Sequence, residues 1–140
     1  MFENNLGKPS IRVGHLQIWI HGKEYASSTV YHDRDWLRVT AHCGGRGSEV
    51  VVSGSILRLS EIAAWLEGLE KLNSTLSGKA NLDCLEPALK VEMVAESLGH
   101  VSTRVEITPD HLNQFHSFEF EIDQSYIPDL IGELKKVMAR

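Results

Sequence analysis

The C-terminal third of the chain contains "TPDHLNQFHSFEFEIDQSYIPDL", a stretch that crowds together Asp110, His111, His116, Glu119, Glu121, Asp123 and Ser125. Hydrolases and metal centres are built from such side chains, so a small hydrolase or metal-dependent enzyme using the His/Asp cluster at 110–125 has to be weighed. A nucleophilic serine needs a base within hydrogen-bond reach and commonly a strained turn such as G-x-S-x-G. Ser125 stands in "DQSYIP" with no glycine beside it, and it suits a helix N-cap better, with Tyr126, Ile127 and Pro128 as the first turn.

A metal reading fares no better. Asp110, His111 and His116 could offer three ligands, but their spacing matches no H-E-x-x-H or comparable pattern. Strand parity places His116 in the row of Phe118 and Phe120, towards the core edge. "TPDHL" reads as one capped helical turn between two strands, with Thr108 as cap, Pro109 first in the turn and Asp110 at its dipole-favoured start. Glu119 and Glu121 share one face of a strand, whereas glycosidase chemistry needs a cleft and a carboxyl of raised pKa. His15, His21, His32, His42 and His100 scatter over strands and loops. No catalytic residue, metal ligand or cofactor is assigned.

The elements that position these residues follow from periodicity. "IRVGHLQIWIH" (11–21) alternates with period two and reads as a strand, with Leu16, Ile18 and Ile20 inward, His15, Gln17, Trp19 and His21 outward, and Gly14 as a bulge. "WLRVTAHC" (36–43) and "SEVVVSGSIL" (48–57) are two more strands. The "GGRG" between them resembles a phosphate cradle, yet a Val-rich strand follows it instead of a helix N-terminus, so it reads as a hairpin turn. Residues 60–77 form a helix capped by Ser60 and stopped at Gly78, with Ile62, Leu66, Leu69, Leu72 and Leu76 as its apolar stripe and Trp65 at the border. Four strands follow, at 79–86, 88–96, 99–108 and 115–123, and then a helix over 126–139. The resulting fold class is α+β: an antiparallel sheet of about seven strands with two amphipathic helices packed on one face. One domain spans 1–140, with residues 1–10 expected to be disordered.

Composition narrows the function. Hydrophobic residues at 42% and charged residues at 24% support a packed core and argue against disorder. A net charge of −5 disfavours nucleic acid as a partner. No apolar run approaches the ~18 residues of a membrane helix, and the N-terminus has no signal-peptide pattern. Two cysteines without C-x-x-C spacing make no disulfide framework. Together these place the chain in the cytoplasm.

"ITPDHL" through "FEFEIDQSYIPDLI" resembles the C-terminal signature of the WapI-type immunity proteins. "DWLRV" (35–39), "SGSILRLSEIAAWLEGLEKL" (53–72) and "GKANLDCLEPALKVEM" before "SLGH" extend the likeness over most of 35–138. The resemblance implies a bacterial antitoxin that binds the toxin domain of a polymorphic or contact-dependent toxin. It transfers no catalytic residues. Pro109, Asp110, His111, Asp123, Ser125, Tyr126 and Pro128 then read as determinants of the fold.

A binder needs a surface, and two are candidates. One is the polar outer face of the sheet, with Arg38, Glu92, Arg104, Glu106, Glu119 and Glu121. The other is the long 22–35 connection, with Tyr25, Tyr31, His32, Asp33 and Asp35. Beside the enzyme, a third option is a structural subunit that pairs through a sheet edge, for example as a homodimer.

Overall fold

The alternation between Ile11 and His21 folds back on itself at Gly14. Gly14 (φ 55) and His15 form a two-residue turn that joins β1 (Ile11–Val13) to β2 (Leu16–Lys23), with Val13 paired to Leu16. The stretch read as one strand with a bulge is therefore a hairpin, because glycine alone accepts the left-handed first turn position without steric cost. It also has a second reason to be glycine. A Cβ at position 14 would overlap the ring of Phe120, which packs on this turn from the far sheet.

The structure, a computed structural model, describes residues 5–23 and 35–139. β3 (Trp36–Gly45), β4 (Ser48–Arg58) and α1 (Leu59–Thr75) follow β2, then β5 (Lys79–Asp83), β6 (Leu89–Ala95), β7 (His100–Ile107), β8 (Ser117–Asp123) and α2 (Ile127–Met138). The class is α+β and the pairing antiparallel. The described strands number eight, and they divide into two sheets of four, β1-β2-β3-β4 (sheet A) and β5-β6-β7-β8 (sheet B), where the sequence suggests about seven strands in one sheet. The division falls at α1, which separates β4 from β5 in the chain.

Both sheets and both helices feed one buried cluster. Leu16, Ile18, Val39 and Ala41 enter from sheet A, and Leu82, Val91, Met93, Val105 and Ile107 from sheet B. α1 adds Ile62, Trp65, Leu69 and Leu72, so its stripe is centred on Trp65, with Leu66 half-buried and Leu76 exposed. α2 adds Ile127, Leu130, Leu134 and Val137. The helices pack on each other, α1 also against β5 and α2 against β1. One row of β7, Val101, Thr103, Val105 and Ile107, is buried in full, whereas the corresponding row of the edge strand β8, Phe118, Phe120 and Ile122, is half-buried against the same cluster.

Local chemistry closes the elements. Arg46 and Gly47, both at positive φ, form the type I′ turn of the β3–β4 hairpin, so "GGRG" is a turn. α1 begins one residue before Ser60. Asp35 supplies the cap, accepting the Ser60 N–H at 3.1 Å and the Ser60 hydroxyl. α1 ends on Leu76, left-handed at φ 57, whose N–H bonds Leu72 O, ahead of the expected stop at Gly78. On the outer row of β2, Trp19 is nonetheless buried. Its indole N–H donates to Gly7 O at 3.0 Å, and Ser10 N–H bonds Ile18 O at 2.9 Å. Gly7 and Ser10 thus tie the segment before β1 to sheet A, where the sequence suggests that residues 1–10 are disordered.

Candidate functional site

The outer face of sheet B is a grid of charges set by strand register. Glu92, Arg104 and Glu119 stand side by side across β6, β7 and β8, with Asn81 of β5 completing the row. The next rows are Asp83, Lys90, Glu106 and Ser117 on one side, and Lys79, Val94, Ser102 and Glu121 on the other. Lys90 Nζ meets Glu92 Oε1 at 3.1 Å, which raises the Lys90 pKa. Arg104 Nε donates to Ser117 Oγ at 3.2 Å and lies 3.8 Å from Glu106. The two β8 carboxylates are more loosely held, with Glu121 reached by His100 at 3.9 Å. The short side chains of Val94 and Ser102 leave a depression of about 420 Å³ between Glu92, Arg104, Glu119 and Glu121.

Five of the nominated surface residues, Glu92, Arg104, Glu106, Glu119 and Glu121, are thus brought together. Arg38 is not with them. It stands on sheet A, opposite Gly22 and Ser55, because the polar rows read as one face belong to two sheets. Asp35 is engaged in capping α1. Tyr25, Tyr31, His32 and Asp33 lie outside the described residues.

The His/Asp cluster resolves into supports for two chain reversals. Asp110 holds the 108–116 loop, its carboxylate accepting Leu112 N–H at 3.2 Å and the Asn113 side-chain amide at 2.8 Å. Those bonds, the Asn113 amide foremost, hold its pKa below the usual carboxylate value. The loop does make one helical turn, Asp110 O accepting Gln114 N–H at 2.9 Å, but the turn starts at Asp110, whose own side chain caps it. Thr108 does not cap it but closes its base, accepting His116 N–H at 3.0 Å. At the second reversal Asp123, rather than Ser125, is the cap. It accepts Ser125 N–H at 2.9 Å at the start of a 3-10 turn (Gln124–Tyr126) that leads into α2, and this bond lowers its pKa. His116 bonds Gln114 at 3.2 Å, and His21 lies 2.8 Å from Thr40 Oγ1. Among the described residues no group of three or more His, Cys, Asp or Glu side chains is placed to hold a metal ion.

Glu61, in the first turn of α1, carries a role that the apolar stripe does not reveal. Its carboxylate is almost fully buried, accepts the N–H of Arg58 at 2.9 Å and pairs with the Arg58 guanidinium at 3.0 Å. Glu61 Oε2 also accepts Leu85 N–H at 2.6 Å, tying α1 to the β5–β6 loop. The available signal was a capping-box glutamate three residues after Arg58. Nearby, burial first, and then Glu61 and Asp83, push the Cys84 thiol up, and burial pushes Cys43 up to about 12. Both are therefore held as neutral thiols.

The arrangement offers charged, register-locked surface supported by capped turns. The chain belongs to the WapI-like immunity protein family, whose model matches residues 9–140. It is similar in fold to a solved structure titled "Structure of the plant transcriptional regulator PBF-2", at a TM-score of 0.52 and 10% identity over 88% of this chain and 74% of that one. Likeness at that identity extends to the fold alone. No curated protein matches the chain. No helix among the described residues is long and apolar enough to cross a membrane.

Proposed function

We propose that this chain is a bacterial immunity protein that binds a cognate secreted toxin domain in the cytoplasm and neutralises it by stoichiometric contact, without catalysis. The family match over residues 9–140 carries this reading. The outer face of sheet B supports it. Asp83, Glu92, Glu106, Glu119 and Glu121 outnumber Lys79, Lys90 and Arg104 there, and a face of that sign draws a basic partner in faster than neutral encounter.

The test is co-expression with the toxin domain encoded beside it. Cells survive when the chain is present, and a one-to-one complex elutes on gel filtration. Killing that proceeds unchanged, with no complex formed, refutes the proposal.

A further inference from the structure

We propose that the open edge of β4 receives an extended segment of the toxin domain as an added strand; the inference rests on the immunity reading above. β4 is the last strand of sheet A, and every pairing it makes is with β3. Among the described residues, no backbone group of Val50–Leu57 bonds to any other element.

The direction of the free groups follows from the hairpin. A type I′ turn closes on Gly45 and Ser48 as a hydrogen-bonded pair. Antiparallel pairing then alternates, so Val50, Val52 and Gly54 face β3, whereas the N–H and C=O groups of Val51, Ser53 and Ser55 face outward. Natural edge strands are commonly blunted by lysine, proline or an inward charge. "VVVSGSIL" (50–57) carries none of these, and its one bulge falls at Ile56, past the outward positions Val51, Ser53 and Ser55.

A slot of about 320 Å³ runs along this edge, lined by the six consecutive residues Val51–Ile56. A groove over one face of a strand would touch every other residue. Consecutive lining places it along the backbone edge itself. Glu86, Ala88 and Pro109 form the opposite wall, and Thr108 N–H to Ala88 O at 2.9 Å joins the two loops that carry it. The slot therefore suits a single extended chain, held by main-chain bonds as in other strand-addition modes. A second copy offering its own β4 would bring its own wall, and a like net charge of −5, into the same space. Glu86 at the rim favours a basic residue in the arriving segment.

Hydrogen exchange on the complex with a catalytically inactive form of the adjacent toxin domain tests this. The amides of Val51, Ser53 and Ser55 slow by about tenfold or more on binding, while those of Val50, Val52 and Gly54 are already protected in the free chain. Ser53→Pro removes one outward N–H without touching a main-chain bond to β3, and weakens the complex by about tenfold relative to Ser53→Ala, which controls for the Ser53 Oγ–Thr40 Oγ1 bond at 3.1 Å that both variants lose. Should that variant fail to fold, the exchange pattern of the unaltered chain still decides. A complex that leaves the three outward amides exchanging as before overturns the edge inference and leaves the immunity reading standing. No complex at all overturns both. Protection that appears in the chain alone and grows with its concentration makes the occupant a second copy and overturns the proposal.

Discussion

Glu61 reaches from the first turn of α1 to Leu85, accepting its backbone N–H at 2.6 Å while the same carboxylate holds Arg58. One buried side chain thus joins the end of sheet A, the helix start and the first loop of sheet B. Glu61→Ala leaves the Leu85 N–H and the partly exposed Arg58 guanidinium without this acceptor. A loss of about 2–4 kcal/mol is expected, read as a lower urea midpoint at unchanged m-value.

The contact between Gly14 and Phe120 couples the hairpin of sheet A to the last strand of sheet B. His15 adds to it, meeting the Phe120 ring edge-on at a centroid distance of 5.0 Å. Gly14→Ala both strains a positive φ and collides with the ring, and should cost about 2–3 kcal/mol. In a Phe120→Ala background the collision term disappears, so a double-mutant cycle returns a coupling of about 1 kcal/mol or more.

Most elements were legible because their periodicity is local. The two helices, the β3–β4 hairpin and the strand within 99–108 stand where pattern places them. The first hairpin was legible in principle, since the inward row shifts from odd positions (Ile11, Val13) to even ones (Leu16, Ile18) across Gly14. The division into two sheets was not, because period two reports which way a side chain points but not which strand lies alongside. Arg38 was grouped with Glu92 and Arg104 for that reason. Asp35 and Glu61 escaped because their partners, Ser60 and Leu85, are 25 and 24 residues away in the chain. Asp110 and Asp123 showed the converse, since capping and catalysis draw on the same residue types.

Asp110 and Asp123 set a pH dependence. Both pKa values are lowered in the folded chain, by the Asn113 side-chain bond and the Ser125 backbone bond respectively. The unfolded state then binds protons first as pH falls below the ordinary aspartate value of 3.8. Their contribution is therefore present above that pH and is lost as pH falls through the folded values. Asp110→Asn and Asp123→Asn should each flatten the decline of stability as pH falls below the ordinary aspartate value of 3.8, followed by urea titration at stepped pH.

Leu76 holds a left-handed conformation (φ 57) at the end of α1 with 60% of its surface exposed. It therefore bears a backbone penalty with little burial to offset it. Leu76→Gly should stabilise the chain by about 0.5–1 kcal/mol. Thermal unfolding checks it, with Leu69→Gly as a destabilising control from the buried stripe.

Glu119 and Glu121 are exposed on the edge strand of sheet B, and their charges add to one field while making few bonds of their own. Reversing both, as Glu119→Lys with Glu121→Lys, removes attraction at a distance and leaves the buried core untouched. Stopped-flow mixing with the toxin domain should show an association rate lower by about tenfold at low salt, a gap that narrows as ionic strength rises and the Debye length shrinks. The dissociation rate should change far less, because steering acts before contact is made. A double variant whose association rate and salt dependence equal those of the unaltered chain would remove the outer face of sheet B from the encounter, and the partner would then have to approach from another side.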